Sequence, residues 1–118
     1  MKTIIAGSRG ITDYALVVSA VARCGWRITE VLSGAAPGVD TLGAEWARLN
    51  RVPVSMHPAN WAKYGPKRAG PLRNSTMAAH ADALIAMWDG KSPGTKDMID
   101  RATRIGLRVY VWRTDVGC

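Results

Sequence analysis

Three short segments of this 118-residue chain set glycine beside hydroxyl or basic side chains: Gly7-Ser8-Arg9-Gly10, Ser33-Gly34-Ala35-Ala36-Pro37-Gly38 and Gly90-Lys91-Ser92-Pro93-Gly94-Thr95. Glycine lets an anion approach the backbone closely. A helix that starts just after such a loop adds free N–H groups and the positive end of its dipole. Ser8, Ser33, Ser92 and Thr95 supply further hydroxyl donors. The chemistry these segments suit is phosphate recognition. One such loop is ordinary turn-making, whereas three that converge make a binding site the better reading.

Other residues fit the same chemistry, each with a plainer alternative beside it. Arg9 and Arg73 are the cations expected on phosphate, because a guanidinium binds a phosphate through two parallel hydrogen bonds; Asn74 sits beside Arg73. Asp40 falls at a helix start, where it binds a ribose hydroxyl, assists glycosidic chemistry or simply favours the helix dipole. Lys67 and Arg68 either clamp a ligand or stay solvated, and Trp61 and Tyr64 either stack on a base or anchor an irregular loop. Asp89 either contacts ligand or makes a turn. His57 and His80 have no partners at metal-ligand spacing, and Cys24 and Cys118 are far apart, so no metal site, disulfide or cofactor is expected. Gly90-Lys91-Ser92 imitates the end of a P-loop, but position 85 is Ile where that motif needs glycine, and no G-x-G-x-x-G occurs.

The elements that must hold these loops follow from periodicity. Residues 2–6 form an apolar run that reads as a buried strand, followed by a helix from Tyr14, with Thr12 or Asp13 as cap and Gly25 as stop. The unit then repeats: a strand at 30–33 and a helix at 39–50, then a strand at 53–57. Residues 58–70 read as an irregular stretch, with a third helix from Pro71 to about His80. A strand at 83–88, a helix at 95–105 ended by Gly106 and a strand at 107–112 complete the pattern, leaving a tail at 113–118 without evident structure. Alternating strands and helices predict an α/β fold of three layers. Its sheet is five-stranded and mostly parallel, and the order 3-2-1-4-5 is the simplest doubly wound solution. In that order the loops after strands 1 and 4 diverge to opposite faces and open a crevice at the C-terminal ends of the strands.

Length and composition support one domain over residues 1–118: hydrophobic residues are 47% and charged residues 21%, as in ordinary globular proteins. No apolar run approaches the roughly 18–20 residues of a membrane span, and the N-terminus is too short for a signal core, so a cytoplasmic protein without membrane contact is expected. Six of the net +7 charges come from residues 46–81, through Arg48, Arg51, Lys63, Lys67, Arg68 and Arg73 with no acidic residue among them. That basic segment suits nucleic acid, the phosphates of a small ligand, a partner's acidic surface or plain solvation. Trp46 and Trp112 belong to the core or to a contact between copies, and apolar outer helix faces make a homo-oligomer the expectation.

The ordered set Gly7-Ser8-Arg9, Ser33-Gly34-Ala35, Gly38-Val39-Asp40, Pro58-Ala59-Asn60-Trp61, Tyr64-Gly65, Ala69-Gly70-Pro71, Arg73-Asn74, Met77 and Trp88-Asp89-Gly90 resembles the small YspA/YpsA-related, DUF2493-like proteins of bacteria and phage in the SLOG superfamily. It continues through Ser92, Gly94-Thr95, Met98-Ile99 and Ala102, so it spans nearly the whole chain. The resemblance implies a Rossmann-like fold and a nucleotide-derived ligand, such as a nucleotide, ADP-ribose or an NAD-like molecule. That family usually carries two glycines after the serine of the second loop, where this chain has Gly34 and then Ala35. A related branch, the cytokinin-activating phosphoribohydrolases, has P-G-G-x-G-T-x-x-E; aligning its Gly-Thr with Gly94-Thr95 puts Met98 where the glutamate belongs. Methionine cannot replace a carboxylate in that hydrolysis.

The reading that results is binding or sensing of a nucleotide-derived ligand at the strand ends. The expected site comprises Gly7, Ser8, Arg9, Ser33, Gly34, Gly38, Asp40, Arg73, Asn74, Gly90, Ser92, Gly94 and Thr95. The alternatives are an enzyme cleaving or transferring at an N-glycosidic bond, with Asp40 as its catalytic carboxylate, and a nucleic-acid-binding protein that uses the basic segment, as in the DNA-binding DprA-like branch of the superfamily.

Overall fold

The computed structural model describes residues 1–115. Five strands, β1 (Lys2–Gly7), β2 (Glu30–Ser33), β3 (Val54–Met56), β4 (Ala83–Trp88) and β5 (Arg108–Arg113), alternate with four helices, α1 (Tyr14–Cys24), α2 (Val39–Leu49), α3 (Trp61–His80) and α4 (Pro93–Arg104). The sheet order is β3-β2-β1-β4-β5, as the alternation predicts. Every neighbouring pair is parallel, so the sheet is wholly rather than mostly so.

The central strands are buried on both faces, and side-chain alternation sorts them into two cores. Ile5, Val31, Ile85 and Met87 face Val17 and Ala20 of α1 and Val39 and Ala47 of α2. Ile4, Leu32, Leu84 and Ala86 face Met77 and Ala78 of α3 and Met98 and Ala102 of α4. Truncating one of these large side chains to alanine costs about 2–5 kcal/mol. Helix α2 lies close on β1 because Gly43 has no side chain, and a Cβ there would meet Ile5 Cγ2 at 2.6 Å.

Local signals place the helix ends. The Asp13 carboxylate accepts from Ala15 N at 3.0 Å and caps α1, which ends at Gly25 with φ 83°. The third helix departs from the sequence reading, since residues 61–70, expected to be irregular, are mostly helical. Asn60 Oδ1 accepts from Lys63 N at 3.1 Å and starts a turn at Trp61; Gly65, with φ 78° and ψ 173°, breaks it, and Pro66 restarts it. The Gly65-Pro66 pair therefore marks a kink between two helical pieces, with the missing proline N–H falling at a helix start. Pro71, expected as the first helical residue, lies inside the helix. Helix α4 begins at Pro93, two residues before the expected start.

At the far edge, Trp112 of β5 packs against the α1 side beneath the Arg23 guanidinium, 5.1 Å from the ring centroid. Trp46 is half-buried on the same core. Arg113, expected in an unstructured tail, closes β5 and pairs with Asp115 at 2.6 Å, while residues 116–118 of that expected tail lie outside the described residues. Among the described residues no helix is long and apolar enough to cross a membrane.

Candidate functional site

The chain leaves β1 toward α1 on one face and leaves the adjacent β4 toward α4 on the other, so the C-terminal ends of these strands border a crevice. A cleft of about 600 Å³ opens there on the α3/α4 side. Ala6, Met77 and Met98 line it from the core, and Gly7, Ser8, Arg9 and Gly10 come from the loop after β1. Ala36 and Asp40 come from the second loop and the start of α2, and Trp61, Pro66, Lys67, Gly70, Pro71, Arg73 and Asn74 from α3. Ser92, Pro93, Gly94, Thr95 and Asp97 complete it from α4.

Much of the glycine and serine in the first two loops locks those loops together. Ser8 is buried, its N–H donates to Met87 O at 3.0 Å, and its Oγ accepts from Asp89 N at 3.1 Å, which joins the loops after β1 and β4. Gly7 is required because a Cβ would collide with Met87 O and Val39. Gly38, with φ 83° and ψ −132°, presses against Ser8 O and Arg9 O, each 2.6 Å from where its Cβ would stand. Ser33 is fully buried beneath the second loop; its Oγ donates to Asp40 O at 2.9 Å and accepts from Ala35 N at 3.2 Å. Ala35 adopts φ 61°, a left-handed conformation that suits the glycine usual in the resembled family. Ser33, Gly34, Gly38 and Gly90 do not line the cleft. Gly90 turns toward β5, where a Cβ would meet Arg113 Nη2 at 2.7 Å.

The opposite wall is more open. Helix α4 has no side-chain cap at Ser92, whose hydroxyl instead donates to Asp89 Oδ2 at 3.0 Å. The first-turn N–H groups of Gly94 and Thr95 therefore have no capping side chain, and nothing lies within 4 Å of a Cβ on Gly94. Thr95 is 94% buried and lines the cleft, and its hydroxyl takes no hydrogen-bond partner among the described residues. The Arg73 guanidinium donates through Nη1 to Gly34 O at 2.6 Å and through Nε to Asn74 Oδ1 at 2.9 Å. Three of its five N–H groups have no partner among the described residues. The half-exposed ring of Trp61 stands at the cleft mouth, 3.6 Å from where a Gly70 Cβ would be, an ordinary packing distance along α3.

Charge in the cleft is uneven. Burial raises the Asp40 carboxyl above the ordinary aspartate value, against the opposing pull of Arg73, the N–H groups of Ala36 and Gly7, and Arg9. Burial also lowers Arg73, opposed by Asp40, with Arg9 adding to the depression and Asp97 resisting it. Asp89 is pulled down to about 2 by the Ser92 and Lys91 backbone N–H groups, so it is a turn-maker that organises the loop before α4. His57 follows β3 with Nε2 2.8 Å from Ser55 Oγ, and burial, His80 and Arg73 lower it. No group of three or more metal-ligating side chains occurs among the described residues.

Of the thirteen expected ligand residues, Gly7, Ser8, Arg9, Asp40, Arg73, Asn74, Ser92, Gly94 and Thr95 line the cleft together. Sequence reasoning left out Asp97, a lining residue with the i,i+4 partner Arg101, a spacing that usually marks a solvated helix face. It also left Trp61 and Lys67 undecided, because their stretch was read as irregular.

A model of the YspA, cpYpsA-related SLOG family matches residues 1–64. The Gene 61 protein of Mycobacterium phage D29 is 34% identical over 118 residues, covering 92% of this chain and 93% of that protein. The crystal structure of DNA processing protein A (DprA) from Streptococcus pneumoniae superposes with a TM-score of 0.73 at 18% identity, over 93% of this chain and 49% of that one. The chain thus spans about half the length of that protein, and the likeness is one of fold.

Proposed function

The chain belongs to the YspA, cpYpsA-related SLOG family, and on that premise we propose that its cleft binds a nucleotide-derived ligand, with phosphate on the α3/α4 wall and ribose toward Asp40. The carrying observation is the open start of α4: uncapped N–H groups at Gly94 and Thr95 beside a threonine hydroxyl that has no partner among the described residues, in a cleft also lined by Arg9, Lys67 and Arg73. Phosphate oxygens suit those donors and that dipole. Asp40 repels phosphate but accepts hydrogen bonds from hydroxyls, which gives the ligand a direction. The Trp61 ring at the mouth offers a face for a base. Titration calorimetry with ADP-ribose and with AMP tests this: at least one binds the wild type, and Arg73→Ala weakens it about 30-fold, as expected for loss of a charged hydrogen-bond donor. Unchanged affinity in that variant contradicts the site.

A second reading concerns the same cleft: cleavage or transfer at an N-glycosidic bond, with Asp40 as the carboxylate. Its support is the burial that raises Asp40 where it faces the cleft. Product chromatography after incubation with nucleotides and NAD decides it, and turnover that survives Asp40→Asn removes the assignment. Nucleic-acid binding draws less support from the fold. Arg48 and Arg51 follow α2 to the N-terminal end of the strands, whereas Lys63, Lys67 and Arg73 lie on α3 toward the cleft end, so the basic segment is divided. A salt series separates the readings, since binding to a long polyanion weakens steeply with salt.

A further inference from the structure

Four side chains on α3 and α4 form one continuous hydrogen-bonded line that ends at the cleft. Arg101 Nε donates to Asp97 Oδ2 at 2.8 Å, and Asn74 Nδ2 donates to the same oxygen at 3.0 Å. Asn74 Nδ2 also donates to Gly94 O at 3.2 Å, while its Oδ1 accepts from Arg73 Nε at 2.9 Å. Arg73 Nη1 completes the line on Gly34 O at 2.6 Å. Asn74 is 95% buried, and both its amide nitrogen and its amide oxygen are engaged by these protein partners.

The direction of this line is forced by chemistry. A carboxylate and a peptide carbonyl only accept, and a guanidinium Nε–H only donates. Asn74 can satisfy all three neighbours in one orientation, with its NH2 toward Asp97 and Gly94 and its oxygen toward Arg73. Turned over, the amide would set its oxygen against two acceptors and its NH2 against a donor. Without Asp97, one of the two acceptors that select the orientation is lost.

We propose that Asp97 is a positioning residue that, through the Asn74 amide, fixes the Arg73 guanidinium against Gly34 and aims its remaining N–H groups into the cleft. Arg101 holds Asp97 in place from the outer side of α4. The same amide grips Gly94 O, so Arg73 and the first turn of α4 are set relative to each other by one side chain. This inference rests on the binding reading only for its effect on affinity; the arrangement of Arg73 is a property of the unliganded protein.

The test is Asp97→Leu, which keeps a similar volume but has no acceptor, at a side chain 30% exposed, and it is read in two ways. In nitrogen-15 spectra of the wild type without ligand, the Arg73 Nε–H gives a distinct signal protected from exchange, and in Asp97→Leu it moves and exchanges faster. Arg101→Met does the same to a smaller extent and guards against a variant that merely loosens α4. In titrations with ADP-ribose and AMP, Asp97→Leu weakens whichever probe the wild type binds by about tenfold, and adds nothing further in an Arg73→Ala background. An unmoved Arg73 Nε–H signal in Asp97→Leu overturns the proposal, as does an equal loss of affinity with and without Arg73. Should the wild type bind neither probe, the binding reading fails and the Nε–H signal still decides the positioning role.

Discussion

The two walls of the cleft use similar residue types for different ends. On the side of the first two loops, Ser8 and Ser33 are buried with their hydroxyls engaged within the protein, and Gly7 and Gly38 are glycine because neighbouring backbone leaves no room for a Cβ. On the side of α3 and α4, Gly94 faces open space, and among the described residues the Thr95 hydroxyl has no partner and Arg73 uses only two of its N–H groups. Glycine and hydroxyl residues between a strand and a helix thus stand in two distinct settings, holding loops against one another or leaving N–H and hydroxyl groups open to a cleft. Only the surroundings tell them apart.

Substitutions on the two walls should therefore fail differently. The largest effect is expected at Gly38, whose φ of 83° and contact with two carbonyls admit no side chain; Gly38→Ala lowers stability by about 3 kcal/mol, measurable by urea unfolding. A loss under about 0.5 kcal/mol would break the contrast, since that is the size of a neutral surface change. Next comes Arg73→Ala on the open wall, which weakens nucleotide binding by about 2 kcal/mol, with a smaller change in unfolding. The smallest effect has the opposite sign. Because burial raises the Asp40 carboxyl in the folded state, the folded form is relatively favoured while that group is protonated and loses this advantage as pH rises through its folded value. Asp40→Asn is therefore more stable than the wild type at neutral pH by about 1 kcal/mol, and the gap closes as pH falls toward about 4. Denaturant melts at the two pH values check it, and a gap that widens on acidification contradicts the assignment.

Much of the fold was legible because each strand and helix carries its own period and its own stop, as with Asp13 and Gly25 around α1. The start of α3 was not. Gly65-Pro66 has the composition of a loop, and only the tertiary path shows that the pair separates two helical pieces. The candidate site was partly legible, through glycine, arginine and hydroxyl residues at strand ends. Sequence could not reveal which hydroxyls are already engaged, because Ser33 and Thr95 occupy similar places beside glycine but differ in their partners. Nor could it reveal Asp97, whose pairing with Arg101 is that of a surface helix and whose contact with Asn74 depends on how α3 crosses α4.

The central claim, that the open wall receives the phosphate of a nucleotide-derived ligand, is tested most directly by following backbone amide signals during titration with ADP-ribose and with AMP. The Gly94 and Thr95 amides should shift most and saturate together, with Ser33 little affected. No saturable shift with either compound, or shifts confined to residues away from the start of α4, would contradict it.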